Sequence, residues 1–395
     1  MKSLIISIFF ISAVLQGLAA QASHDVTRDV LPQIEQNNTL LQALRKQAEA
    51  DKTGNKTGIL PENPEIEYHY LWGNRDGNRI DFSVSQTFDF PTAYYHRKKV
   101  SDAQNRQVDL QYQIERKNIL LEAQKLCIQL IYQNALFEIV SGRATAAERL
   151  MQAYKRQYEQ GEINILEYNR AKINHLNVQK EYASCQTERA FLSGELSRLN
   201  GGIAIDFSIS TFETISLPSD FQVLYNELKT NNLELLYRQE ATALSRQSEK
   251  LQRSLNLPQI STGYMSEKAP MEHFQGITVG VSIPLWANKN TIKRIKAQTQ
   301  ANEAQETDAE TRYFNETNAL YKKAQSLLQL INNQDFTQSE VLNHNELLQK
   351  ALQAGQISLL DYLLESEIYY ELNRALLETG RDLQLTVAEL MQWKI

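Results

Sequence analysis

Two stretches of the chain decide its fold: YEQGEINILEY, Tyr158–Tyr168, and LQAGQISLLDY, Leu352–Tyr362. Both carry Gly, Ile, Leu, an acid and Tyr in the same order. Gly161 and Gly355 lie 194 positions apart. Other landmarks keep that offset: Asn37-Asn38 with Asn231-Asn232, and Asn63-Pro64-Glu65-Ile66 with Leu257-Pro258-Gln259-Ile260. Separate matches at one constant offset mean that the chain is a duplication of a unit of about 190 residues. Two long copies describe two structural halves, not a solenoid of many short ones.

Within each phrase the glycine stands where a helix ends, because Gly enters the left-handed conformation that helix C-termini favour. Three residues after Gly161 begins Asn164-Ile165-Leu166-Glu167, and three after Gly355 begins Ser358-Leu359-Leu360-Asp361. Each resembles a capping box, a cap residue with an acid three positions on. The phrase therefore predicts a stop, a sharp turn and a restart: the tip of an αα-hairpin. Glu167 and Asp361 are first of all capping acids. No His, Ser or Cys constellation lies near them, and catalysis needs several convergent groups. No catalytic residue is expected.

The helices leading into the tips are very long. From about Thr92 to Gln160 there is no proline and one glycine, Gly142. Leu130, Phe137, Ala144, Met151 and Tyr158 recur every seven residues, beside Leu126, Val140, Ala147 and Tyr154, with Gln133 the exception. That is a coiled-coil seam. From about Ala287 to Ala354 a second proline-free stretch carries Tyr313, Leu320, Leu327, Val341 and Leu348, interrupted at Gln334. Helices also follow each tip, at about 165–199 and 359–392, and precede each strand pair, at about 24–50 and 221–254.

The strand pairs read by alternation. Ile66, Tyr68, Tyr70 and Trp72 share one face, and after the turn residues GNRDGNR so do Ile80, Phe82, Val84, Phe88 and Phe90. Asp81, Ser83, Ser85, Thr87 and Asp89 take the opposite face. In the second copy Ile260–Tyr264 leads into a polar loop, and Ile277, Val279, Val281, Ile283 and Leu285 alternate with Thr278, Gly280 and Ser282. Eleven alternating residues suffice for a tilted strand to cross a bilayer. A half-buried soluble hairpin alternates too. The small or charged polar face and the aromatics at strand ends favour lipid. Four strands cannot close a barrel, since about eight are needed, so spanning strands require several chains to share one.

At 395 residues the chain has room for two or three ordinary domains, yet it holds only 15 Gly and 8 Pro, too few for a loop-rich protein. A net charge of −6 and the lack of a basic run argue against a nucleic-acid partner. Cys127 and Cys185 fit no metal-ligand spacing. They read as small apolar helix residues, with a disulfide open if two helices run side by side. The six His (His24, His69, His96, His175, His273, His344) form no ligand pair, so neither a metal site nor a cofactor is expected. Lys2, the apolar run Leu4–Leu15 and GLAAQA predict a secretory signal peptide over 1–22, cleaved after Ala20-Gln21-Ala22. No later segment is apolar enough for a membrane helix, so membrane contact would require a β-barrel.

The duplicated openings NNTLLQALRKQAEA and NNLELLYRQEA, the strand starts NPEIEY and LPQIST, VGVSIPLWANKN before a long helix, and the paired tips together resemble the TolC-like outer-membrane efflux family, over essentially the whole mature chain. SIPLWANKN and the short length are most similar to its heavy-metal branch, the cobalt–zinc–cadmium and copper/silver efflux factors. The resemblance implies a mainly α fold with membrane β-strands. Two repeats, 23–199 and 221–395, joined by a linker at 200–220, would contribute four strands to a twelve-stranded trimeric barrel and the helices to a periplasmic tunnel. It implies a passive exit duct in the outer membrane of a Gram-negative bacterium. Its partners would be two further copies, a periplasmic adaptor, an inner-membrane RND-type pump and outer-membrane lipid. Heavy-metal cations are the implied cargo. A multidrug or type I secretion duct, or a periplasmic coiled-coil adaptor, are the alternatives.

In the family the tips form a gate and the adaptor contact. That places Tyr158, Gly161, Glu167, Leu352, Gly355, Ile357, Asp361 and Glu365 at the gate. Asp361 would face the pore as a ring of three carboxylates, which favours cations. The chain departs from the best-known relative where gate latches stand: Leu352 replaces Tyr, Ile357 replaces Arg, and Leu364, beside Glu365, replaces a second pore acid. A more apolar gate is implied.

Overall fold

The computed structural model describes residues 26–73, 77–286, 290–333 and 347–394. The expected signal peptide, His24, His344, part of each strand-pair boundary (74–76, 287–289) and the seam positions Gln334 and Val341 lie outside them.

Two short helices open the described chain, α1 (Val26–Asn37) and α2 (Thr39–Gly54). Strands β1 (Glu65–Trp72) and β2 (Asn78–Phe88) follow, then α3 (Pro91–Glu159) and α4 (Ile165–Leu199). The second half repeats this order: α5 (Phe221–Asn231), α6 (Leu233–Ser254), β3 (Gln259–Ala269), β4 (Glu272–Ser282) and α7 (Thr291–Asn332). Helical residues 347–353 (α8) lead to the second tip. Helix α9 (Leu359–Leu390) and a 3₁₀ turn, Gln392–Lys394, end the described chain. At 69 residues α3 spans about 100 Å. No described helix is long and apolar enough to cross a membrane.

The helices predicted over 24–50 and 221–254 are each two. The break falls on Asn38 and Asn232, whose Oδ1 atoms accept from the N–H of Leu41 and Leu235, both at 2.9 Å. An Asn side chain that satisfies a free N–H of a following helix ends the preceding one. Both breaks stand at the repeat offset.

The strands form one antiparallel sheet in the order β1-β2-β3-β4. Their boundaries differ from those the alternation suggested. Strand β2 stops at Phe88, because the Asp89 N–H turns to Tyr94 Oη (2.9 Å) and its carboxylate takes Gln259 Nε2 (2.7 Å) and Arg97. Strand β3 runs on through polar Ser266, Glu267 and Lys268, which are paired on both sides, to Ala269, which pairs with Glu272 across a two-residue turn. Strand β4 therefore begins at Glu272 and ends at Ser282. Ile283 and Leu285 lie beyond it, flanking Pro284, which has no N–H for a ladder.

The chain forms two compact units, each drawing on both sequence halves. One comprises the described residues up to Asn37, Glu122–Leu217 and Leu327–Leu385. Its core follows α3, where Ala123, Cys127, Ile128, Leu130, Ile131, Tyr132 and Ala135 are buried on several sides of the helix. The segment 203–217 runs over it without regular structure. Asn134 Nδ2 donates to the carbonyls of Phe207 (3.3 Å) and Ile209 (2.9 Å), and Gln384 Nε2 to that of Glu213 (2.6 Å). Cys127 and Cys185 are both buried free thiols, so no disulfide forms. Burial pushes the Cys127 thiol up to about 12, and Cys185 is raised for the same reason.

The other unit comprises Asn38–Leu121, Pro218–Ser326 and the C-terminal segment from Thr386. Phe221 and Tyr225 of α5 pack against Phe314 of α7, with centroids 5.6 and 4.9 Å from it, and Tyr321 Oη donates to Pro218 O at 2.6 Å. Helices α6 and α7 meet through small polar residues: Ser245 and Thr299 are 2.7 Å apart and buried, and Thr242 donates to Glu306 at 2.9 Å. A polar seam of this kind leaves a weak hydropathy signal.

Candidate functional site

Two regions carry the expected functional residues, the sheet in one unit and the helix tips in the other. In the sheet, cross-strand register puts Ile66, Val84, Tyr264 and Ile277 in one row, and Phe88, Ile260 and Val281 in another. These residues share a face. That face is open: Ile66 is 69% exposed, Ile277 81% and Val279 73%. In water a continuous apolar patch of this kind is an association surface. Trp72, at one end of β1, and Trp286, after β4, are similarly exposed.

The opposite face is mostly small and charged, with Leu71, Met265 and Phe274 as its large apolar residues. Ser83, Ser85, Thr87, Ser261, Gly263, Gly276, Thr278 and Gly280 lie on it with Glu65, Glu67, Asp81 and Glu267. Arg79 pairs with Asp81 (2.8 Å) and Glu267 (3.0 Å). A Cβ at Gly263 would meet Val84 O at 2.4 Å, so the backbone there passes too close to its neighbour for any side chain. Strands β1 and β4 are the edges of the sheet, and each has one side without a ladder partner. Every free N–H and C=O of such an edge costs several kcal/mol in hydrocarbon, about the loss of an unsatisfied buried group.

Both turns form as their sequences predict, and the capping box closes on both sides only at the second. Gly161 (φ +73°) and Gly355 (φ +66°) take the left-handed conformation. At the first, Glu162 N–H donates to Gln157 O (2.9 Å) and Gly161 N–H to Tyr158 O (3.0 Å). At the second, Gln356 N–H donates to Ala351 O (2.9 Å) and Gly355 N–H to Leu352 O (3.0 Å). This is the Schellman arrangement twice. The restarts differ. Ser358 and Asp361 make a reciprocal box: Asp361 N–H donates to Ser358 Oγ (3.2 Å), and Ser358 N–H (3.2 Å) and Oγ–H (2.6 Å) donate to Asp361 Oδ2. At the first tip the cap is one-sided, with Asn164 Oδ1 accepting from Leu166 N–H (2.9 Å) and Glu167 N–H (3.1 Å). Tyr158 stacks on Tyr168 across the first turn, centroids 5.5 Å apart and planes 8° apart. Burial, and then the Glu167 charge, raise the Tyr154 pKa. Asp361 and Glu365 stand one turn apart on α9 and both face solvent, while Leu352 and Ile357 are half-buried.

Two aromatic clamps join α3 and α9, and sequence reasoning missed them. The Arg143 guanidinium lies 3.6 Å from the Tyr370 ring centroid, and pairs with Glu181 of α4 (3.1 Å) and Glu367 of α9 (2.6 Å). The Tyr370 hydroxyl is bound by Glu181. Burial, followed by this carboxylate, raises its pKa. Eleven residues back along α3 the roles are exchanged: Arg381 of α9 stands 4.7 Å over Tyr132 of α3, whose hydroxyl donates to Glu378 (3.3 Å). Eleven residues make about three helical turns, so both clamps fall on one seam. The equal spacings Tyr132–Arg143 and Tyr370–Arg381 were the only trace of this in the sequence. Among the described residues no group of three or more His, Cys, Asp or Glu could hold a metal.

No protein-family model and no curated protein matches the chain. Solved structures do. The chain is similar to CusC, studied for its folding and transmembrane channel formation, with TM-score 0.75, 16% identity and coverage of 93% of this chain and 91% of that one. It is similar to the Campylobacter jejuni CmeC outer membrane channel (TM-score 0.74, 12% identity, 93% and 85% covered). A third likeness is to the outer membrane protein VceC of Vibrio cholerae (0.73, 14%, 93% and 95%). The fold is therefore that of the TolC-like outer-membrane channels, with duplicated halves, four strands and long helical hairpins.

Proposed function

We propose that the chain is the outer-membrane exit duct of a tripartite efflux system in a Gram-negative bacterium, working passively as a homotrimer. The observation that carries this reading is the open sheet, with a largely exposed apolar face and both edges without a ladder partner among the described residues. Three copies of four strands give twelve, enough to close a barrel around water. Closure pairs β1 of one copy with β4 of the next and removes both edges. The repeats 23–199 and 221–395, with the linker 200–220, are the halves of each copy. Exposed apolar residues on α9 (Leu360, Leu364, Ile368, Leu372) and α4 (Leu166, Ile173, Leu176) support further helix-to-helix contact between copies.

The tips, with Tyr158, Gly161, Glu167, Leu352, Gly355, Ile357, Asp361 and Glu365, are the gate and the surface for a periplasmic adaptor, which links the duct to an RND-type pump. Solvent-facing Asp361 supports a pore-ring role, and heavy-metal cations are the cargo that fits it. The adaptor reading is disfavoured by two helix tips and four strands in one chain.

Membrane fractionation followed by mass measurement of the detergent-extracted protein tests the proposal. The expected result is an outer-membrane protein of three times the chain mass. A soluble periplasmic monomer would refute it. Metal sensitivity of a deletion strain without drug sensitivity supports the cargo; the converse supports a drug duct.

A further inference from the structure

We propose that the level of Ser141-Gly142-Arg143 is a fulcrum, at which the tip-side part of the first hairpin swings against α9. Three independent features converge there.

The helix is weakest at this level. Gly142 is the single glycine of α3. A Cβ placed on it would meet nothing within 4 Å, so packing does not require a glycine. Gly is among the poorest helix formers, and Gly/Ser pairs are recurrent sites of helix bending. Thr145 Oγ1 bonds back to Ser141 O at 3.0 Å. Back-bonding of this type loosens and bends helices.

The three helices are pinned at the same level. Arg143 of α3, Glu181 of α4 and Tyr370 with Glu367 of α9 form one node. The Tyr132–Arg381 clamp, three turns beyond the node on the side away from the tip, fixes the register there. A slip of one turn along α9 would break both clamps together.

Beside the node, extending towards the tip, lies a groove of about 430 Å³. Gly142, Ala146 and Leu150 of α3 face Tyr362 and Ser366 of α9 and Gln349 of α8 across it. Tight packing would forbid movement. This groove gives the hairpin space to close on α9 or open from it, with the node as pivot.

The test uses the full-length trimer and the variants Gly142→Ala, Gly194→Ala and Tyr370→Phe. Gly194 is a helical glycine of α4 that also has nothing within 4 Å, so its alanine variant controls for helix stiffening as such. Gly142→Ala should slow hydrogen exchange over 143–160 about fivefold, the size of an alanine-for-glycine gain in an open helix. It should lower the frequency of channel opening in planar bilayers by a similar factor. Gly194→Ala should slow exchange only around its own site and leave opening unchanged. Tyr370→Phe should speed exchange over 143–160 several-fold. If Gly142→Ala matches Gly194→Ala in both exchange over 143–160 and opening, the fulcrum is refuted. The opening arm rests on the duct reading. Wild-type protein that conducts nothing would overturn that reading, while exchange still decides the fulcrum.

Discussion

Replacing Arg143 by Met keeps the length of the side chain and removes its charge, which isolates what the node contributes. The pair with Glu367 counts for little, since that carboxylate is 56% exposed, and such pairs are worth about 0.5 kcal/mol. The pair with Glu181 is more enclosed, with side-chain exposures of 20% and 32%, and contributes about 1–2 kcal/mol. The stack on buried Tyr370 adds about 1 kcal/mol. Methionine regains part of the ring contact. The net loss is about 2 kcal/mol of local stability, or roughly 30-fold in an opening equilibrium. Native-state hydrogen exchange over Tyr369–Asn373 reads it directly. The expected result is acceleration of that order at these amides, with a much smaller change around Arg381. Acceleration below about threefold would show that the node holds nothing. Equal acceleration at both clamps would show that they are not separate points of attachment.

Three further outcomes follow from the geometry. Gly263→Ala should abolish trimer assembly, because the new Cβ would meet Val84 O at 2.4 Å, whereas Gly276→Ala, with open space around it, should assemble; heat-resistant migration in SDS distinguishes them. Asp361→Ala should lower cation over anion selectivity in bilayers while the trimer persists, and unchanged selectivity would remove Asp361 from the pore. The Cys127 thiol, pushed up to about 12 by burial, should resist alkylation in native protein at pH 9 and react on denaturation. Because its folded pKa is the higher one, the neutral thiol's contribution to stability is complete below the unfolded value of 9.0 and declines as pH rises towards 12.

The parts of the fold that the sequence showed were those set locally. The tips depend on one glycine and one cap each, and the duplication makes them stand out at Gly161 and Gly355. Strand β2 was legible because Phe82 and Val84 alternate with serines. The second pair was not: Glu267 and Lys268 look like loop residues, and become strand because β2 and β4 pair with them on both sides. Asn38 and Asn232 were seen as landmarks of the repeat, but their capping bonds depend on backbone conformation. The clamps were the least accessible. Arg143 and Tyr370 belong to different halves, and neither carries any local sign of the other. Composition suits the polar seam of α6 and α7 equally to solvent, so Thr242, Ser245 and Thr299 gave no core signal.

The central claim is that one face of the sheet meets lipid and the other meets water. The most direct measurement is a nitroxide scan of β4, one label at a time from Ile277 to Val281, in trimers reconstituted into bilayers. Collision rates with oxygen and with a water-soluble nickel chelate are recorded at each position. The account predicts strict alternation: Ile277, Val279 and Val281 favour oxygen, and Thr278 and Gly280 favour the chelate. Uniform access to the chelate at all five positions would contradict it.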